Sequence, residues 1–354
     1  MKNKLALFPL IFSISLGLFA TYSLLDTLVI KKVEKKVSFG SFDFFSSSAV
    51  PSSSKNTSSK SNNSGDSNLS SEFTSSSGNS SSSTDVPNPD VDESLFTDTV
   101  VQTETLYTDH NLHIEVKEEV VKTHHLKRKE ELRDTHVYSA HIYLRDLSHL
   151  RTAFAEDAYG EHITEKTSTI ARRNNAIFAI NGDTYGAQSE GYVLRNGQIF
   201  RDRRRPGCED LAIYRDGSFE IYSEDDYTLK QIADKGAYQV FSFGPGLVKN
   251  GERMVEEGDE VAIFSDKGNE RVSIGIISPL HYVVAVCDGR TKESYGMQLY
   301  EMADYMIGLG AKTAYNLDGG GSSSFFFNDR IYNKPTEDGY VIKERGISDI
   351  VYFA

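Results

Sequence analysis

The chain has 354 residues, 38% of them hydrophobic, and a formal net charge of −13. That length suits one large domain with appendages rather than one small domain. The acidic balance argues against a nucleic-acid partner, whose phosphates need a basic face, but a phosphorylated small molecule needs only one or two local arginines.

Lys2 and Lys4 precede LALFPLIFSISLGLFATYSLLDTLVI, which ends at Ile30. About 26 mostly apolar residues span a bilayer with some tilt. The run exceeds the apolar core of a cleaved signal, and no small-x-small site follows it. Residues 1–36 are therefore expected to be an uncleaved signal anchor, a transmembrane helix. Lys31, Lys32, Lys35 and Lys36 follow the span, so lysines on both flanks leave its orientation open. Residues 37–95 are expected to be a disordered tether. Roughly half of the stretch from Ser46 to Ser83 is serine, too little apolar surface to fold. A polar spacer after one span suits a domain held outside the cell. The expectation is a single-pass cell-membrane protein whose C-terminal domain, residues 96–354, is extracellular.

Within that domain short strands dominate. HVYSAHIYL (136–144) alternates with period two, as a half-buried strand should. RTAFA (151–155) is the next strand, ITEKTSTIARRN (163–174) has helical spacing, and AIFAI (176–180) reads as a buried strand. Asn196-Gly197, Asp216-Gly217 and Asn250-Gly251 are hairpin dipeptides suited to type I′ turns. RVSIGIISPLHYVVAVCDGR (271–290) reads as two core strands joined at Ser278-Pro279. GMQLYEMADYMIGLG (296–310) is a helix whose Met297, Leu299, Met302, Tyr305, Met306 and Leu309 share one face, a packing stripe ended by Gly310. TAYNL, SSFFF and ISDIVYF supply the last strands. Strands with interspersed helices and no regular βαβ alternation point to an α+β domain.

Cys208 and Cys287 are the only cysteines; they form either one disulfide or two lone buried thiols. The 9 histidines show no zinc spacing. His110, His113, His124 and His125 lie in a charged stretch that reads as solvated surface. Asp349 beside Arg345 reads as a buried pair holding the last strand, and Glu301 as a cap or ion-pair partner on its helix.

Three polar loops follow apolar strands. AINGDTYG carries Asn181, Gly182, Asp183 and Tyr185; VCDGR carries Asp288, Gly289 and Arg290; NLDGGGSSSFFF carries Asn316, Asp318, Gly319, Gly320, Gly321 and Ser322. Asn-Gly and Asp-Gly alone mark turns. Three successive glycines exceed the needs of a turn, and consecutive bare N–H groups make a concave anion site. No Gly-Lys-Ser/Thr follows, the glycine spacing is not that of a dinucleotide fold, and no G-x-S-x-G elbow is present.

AINGDTY, RVSIGI, GMQLYEMADYM, NLDGGGSSSFFF and RGISDIVYF together resemble, in order, the motifs of the phosphodiester glycosidase (NAGPA-like) family. The resemblance runs from about His136 to the C-terminus. The family pattern has RTAIG where this chain has Arg271-Val272-Ser273-Ile274-Gly275, and often Phe where it has Tyr185.

The resemblance implies hydrolysis of a sugar-1-phosphate diester in a surface glycan or exopolysaccharide. Such cleavage passes through an oxocarbenium-like transition state, and the site must hold phosphate and stabilise positive charge. Asp318 and Asp183 are the candidate catalytic carboxylates. Arg271, Arg290 and Arg345 are candidates to grip phosphate, with the amides of Gly319, Gly320 and Gly321. Asn181 and Asn316 are candidates for sugar hydroxyls, and Gly182, Ser322 and Asp288 line the same loops. No cofactor is required. Two other readings stay open: a phosphodiesterase using Ca²⁺ or Mg²⁺ on Asp183, Asp288 and Asp318, and a non-catalytic module that binds an anionic cell-surface polysaccharide.

Overall fold

A computed structural model describes residues 2–38, 92–125, 127–128, 130–259 and 268–354. Most of the expected tether, 39–91, lies outside the described residues. Helix α1 (Lys2–Leu28) has 27 residues, and its Phe12, Leu16, Leu18 and Phe19 are exposed. Among the described residues no helix is long and apolar enough to cross a membrane, so the expected span is not shown.

In chain order the strands and helices that matter below are β1 (Lys32–Lys36), β2 (Leu112–His124), β3 (Leu132–Leu144), β4 (Leu150–Phe154), β5 (Ala158–Glu161), α2 (Thr167–Arg173), β6 (Phe178–Asn181), β7 (Val193–Arg195), β8 (Glu209–Tyr214), β9 (Ala237–Phe241), β10 (Arg271–Ser278), β11 (His281–Cys287), α3 (Leu299–Gly308), β12 (Thr313–Leu317), β13 (Phe325–Phe327) and β14 (Asp349–Phe353). A nine-stranded sheet sets β12, β10, β11, β3 and β2 side by side. One five-stranded sheet sets β13, β6, β14 and β4 together, and a second sets β7, β9 and β8 together. The domain is strand-rich with few helices, which moves the expected α+β class toward the β end.

Strands β10 and β11 are apolar runs because both faces of the large sheet are covered. On one face α3 buries Leu299, Met302 and Met306 against Val283, Ala285 and Cys287. Each such side chain contributes about 1.5–3 kcal/mol relative to exposure, so the Met stripe is packing. A capping box between Gln298 and Glu301 starts this helix, and Glu301 also accepts from the His124 backbone N–H at 2.6 Å. On the other face Tyr138 meets Phe325 and Tyr282 meets Phe353, with ring centroids 6.1 and 6.2 Å apart. These contacts join the large sheet to the β6–β14 sheet.

Two of the three hairpin dipeptides take type I′ dihedrals: Asn196 and Gly197 have φ of 48° and 77°, Asn250 and Gly251 of 54° and 78°. At Asp216-Gly217 only the glycine is left-handed, with φ of 82°. The stretch read as solvated surface is largely β2, a 13-residue strand laid along β3; the side chains of His110 and His124 are exposed as expected, but that of His113 is not. His113 in it is 6% exposed; its Nδ1 is 3.0 Å from Leu95 O and its Nε2 3.1 Å from Glu115. Cys208 and Cys287 are both free and buried. Strand β1 pairs antiparallel with β5, helped by ion pairs of Lys31 with Glu156 and Lys32 with Glu161.

Candidate active site

The site forms where strand ends from different sheets meet. Strand β6 ends in Asn181 and delivers Gly182 and Asp183; β12 delivers Asp318 and the glycines; β10 begins at Arg271 and β14 at Asp349. Backbone bonds lock these ends together. The Asp318 N–H donates to Gly182 O at 3.3 Å, and the Gly182 N–H donates to Asp349 O at 2.8 Å. The Asn181 side chain ties the loops, donating to Asp318 O at 2.6 Å and accepting from the Ser324 N–H at 3.1 Å. At 1% exposure it acts as a scaffold group in this arrangement, with its amide engaged inside the fold.

The glycine run serves close approach. A Cβ at Gly319 would stand 2.6 Å from Glu270 O, and Gly320 has φ of +58°. The Gly320 N–H already donates to Glu270 O at 2.9 Å. This corrects the expectation of three bare amides: that of Gly320 is engaged inside the fold.

Beneath the turn lies a buried charge network. Arg195, from β7, holds Asp183 at 2.8 Å (Nη2 to Oδ1) and Asp349 at 2.7 Å (Nε to Oδ2), all three side chains being 0% exposed. Its guanidinium sits 4.2 Å from the Phe241 ring centroid. Asp183 also accepts from the N–H groups of Ser242 (2.9 Å) and Tyr185 (3.2 Å). Asp183 therefore orders the loop from below, its carboxylate held by Arg195 and two backbone N–H groups and closed to solvent in this arrangement. Burial first, then Asp183, pushes the Asp349 carboxyl up to about 7 against the pull of Arg195. Asp349 is paired with Arg195, not with Arg345. Sequence reasoning missed Arg195, because an arginine before an Asn-Gly turn reads as an exposed hairpin end. Its one signal was a charge at a position where alternation in YVLRNG is apolar.

The rim is polar and open. The Asp318 side chain is 16% exposed, and its Oδ2 lies 3.6 Å from Arg345 Nη2. Arg345 donates from Nε to Ser322 Oγ at 3.1 Å and is 41% exposed. Burial raises the Asp318 pKa, while Ser322 and Arg345 hold it down. Arg290 approaches from the other side, 3.1 Å from where a Gly320 Cβ would stand. It pairs with Glu270 at 3.1 Å and donates to Asn269 Oδ1 at 3.0 Å.

The remaining expected ligands point inward. Arg271 is 5% exposed and donates from Nε to Met297 O at 3.2 Å, so its guanidinium is not open to a phosphate here. Asn316 donates to Gly244 O at 2.8 Å. Asp288 accepts from Tyr138 Oη at 3.2 Å and the Lys334 N–H at 2.8 Å, and burial raises its pKa. Asp183, Asp288 and Asp318 do not gather into a metal site. Among the described residues the one trio of His, Cys, Asp or Glu whose ligand atoms already lie within 4.8 Å of one another is Cys208, Asp210 and Glu224. There Arg205 already supplies the positive charge, its Nη2 2.6 Å from Cys208 Sγ, and Glu224 accepts from Ser242 Oγ and the Tyr192 N–H.

The sequence profile described as phosphodiester glycosidase matches residues 174–354. The Bacillus subtilis prophage protein YomE is 28% identical over 196 residues, which are 54% of this chain and 30% of that protein. The Homo sapiens N-acetylglucosamine-1-phosphodiester alpha-N-acetylglucosaminidase is 28% identical over 174 residues, 43% of this chain and 33% of that enzyme. The chain thus spans about a third of the length of these curated relatives. In fold it is similar to the catalytic domain of the zebrafish enzyme of that name, with a TM-score of 0.54 at 20% identity over 68% of this chain and 83% of that one.

Proposed function

This chain belongs to the phosphodiester glycosidase family, and we propose on that premise that it hydrolyses the bond between a sugar's anomeric carbon and phosphate in a sugar-1-phosphate diester. One observation carries the reading. Of the three carboxylates gathered here, Asp183, Asp318 and Asp349, only Asp318 is reached by solvent, and it stands beside Arg345.

In this reading Arg345 and Arg290 hold the phosphate oxygens, and Asp318 faces the anomeric carbon. The C–O bond breaks with its electron pair going to the phosphate oxygen. Asp318 stabilises the resulting positive charge. Water adds to the anomeric carbon and gives up one proton. A phosphate leaves readily as an anion, so one exposed carboxylate suffices. The buried Asp183–Arg195–Asp349 network keeps the Gly182 loop, and through it Asp318, in place. For the natural substrate we propose an anionic cell-surface glycan or exopolysaccharide. The apolar run that ends at Ile30 and the polar serine-rich stretch after it motivate a single membrane anchor with the domain outside, which protease accessibility in intact cells tests.

The deciding experiment incubates the full chain and its Asp318→Asn variant with sugar-1-phosphate diesters in ¹⁸O-water. The expected result is free sugar carrying the label from at least one α-linked N-acetylhexosamine diester, with near loss in the variant. Label in the phosphate instead would mean P–O cleavage. Binding of a glycan with no product would mean a non-catalytic module.

A further inference from the structure

At the far end of the large sheet, away from Asp318, three neighbouring strands place their metal-capable side chains together. The register pairs His113 with Tyr143 and Glu115 with His141 across β2 and β3, and Tyr143 with His281 across β3 and β11. Alternation puts His113, Glu115, His141, Tyr143 and His281 on one face. It is the face that α3 covers at Val283 and Ala285; two residues before Val283 the apolar run stops and His281 begins. The seven residues of β11 set this cluster about 20 Å from the Asp288 end of the strand.

His141 Nδ1 and His281 Nε2 face each other at 3.1 Å. Tyr143 stacks on His281 with ring centroids 3.9 Å apart and fixes the ring's orientation. We propose that His141 and His281, completed by Glu115, bind one divalent transition-metal ion of the zinc type. Two imidazole nitrogens bound at about 2.05 Å and held 3.1 Å apart subtend an angle of about 100° at the ion, close to tetrahedral. The ion takes the place of the hydrogen bond between the rings, and the donor ring carries its proton on its other nitrogen instead. Glu115 is the cross-strand neighbour of His141 and now contacts His113 Nε2 at 3.1 Å; its side chain is 59% exposed, so it takes the third position by leaving His113. Water fills the fourth. Imidazole and carboxylate donors without thiolate suit zinc and copper. A neutral imidazole offers one nitrogen lone pair, which is what a metal ion takes. The chain distance from His141 to His281 explains why no local spacing announces the site.

The test is calorimetric titration of the metal-stripped full chain with Zn²⁺. The expected result is one saturable site per chain. It weakens at least tenfold in His141→Ala/His281→Ala, weakens in the surface variant Glu115→Gln, and is unchanged in Cys208→Ala. Cu²⁺ loaded into the parent should show paramagnetic-resonance splitting from two imidazole nitrogens, a readout independent of how the double variant folds. No saturable uptake, uptake undiminished in the double variant, or a copper spectrum without two nitrogens overturns the proposal.

Discussion

Replacing Arg195 by leucine tests the buried network most directly. In the parent, one guanidinium serves two carboxylates at 2.8 and 2.7 Å, with every group 0% exposed. The substitution orphans both at once. Removing one partner of a buried ion pair costs about 3–5 kcal/mol, and losing the contact with Phe241 adds to it. Against a typical total of about 5–15 kcal/mol, this is a large share. For a domain of this size the melting temperature should fall on the order of 10 °C. The chain has no tryptophan, so urea unfolding is best followed by circular dichroism. The pH dependence supplies the sharper criterion. The folded pKa of Asp349 is raised to about 7, above an unfolded value of about 3.9. Its contribution is therefore fully present below about pH 4 and is lost as pH rises through about 7. Without the cation the orphaned Asp349 carboxyl holds its proton more tightly still, since Arg195 pulls its pKa down. The destabilisation by Arg195→Leu should thus be larger at pH 8 than at pH 5. A variant within about 1 kcal/mol of the parent at pH 8, or one equally destabilised at both pH values, would refute the reasoning.

Three further outcomes are expected. Gly182→Ala puts a Cβ 2.3 Å from Asp349 Oδ1, and such overpacking should cost about 1–3 kcal/mol by thermal melting; an unchanged melting temperature would mean that Asp349 can move aside. Arg345→Met removes a charge that holds the Asp318 pKa down, so the acidic limb of the pH–kcat profile should move to higher pH, and a limb that stays put would dissociate Arg345 from Asp318. Burial pushes the Cys208 and Cys287 thiols up to about 11 and about 12, so neither should react with a disulfide reagent in the native protein at pH 8, while both should react in denaturant.

Much of this protein could be read from local pattern alone. Period-two alternation announced β3, the continuous apolar runs announced β10 and β11, and the helical stripe of methionines announced α3, because each reports which faces are dry. Asn-Gly pairs marked two type I′ turns, because few residues tolerate left-handed φ at both central positions. The loops that meet at the site, AINGD and NLDGGG, were legible because they interrupt buried strands with polar residues. Strand β2 escaped, since Lys and Glu fall on both of its faces, Glu115 and Lys117 on one and Glu118 and Lys122 on the other, and hide the pattern of its buried positions.

What only the tertiary structure decided is which charges are paired and which are open. Asp183 and Asp318 look alike in the sequence, each an aspartate in a glycine-bearing loop after an apolar strand. Folding sinks Asp183 against Arg195 and leaves Asp318 beside Arg345 at the surface. A carboxylate's role depends on solvent and on cations brought within about 3–4 Å, and those cations come from 12 and 27 residues away along the chain. Sequence spacing carries no record of that distance; the meeting of strand ends from separate sheets creates it.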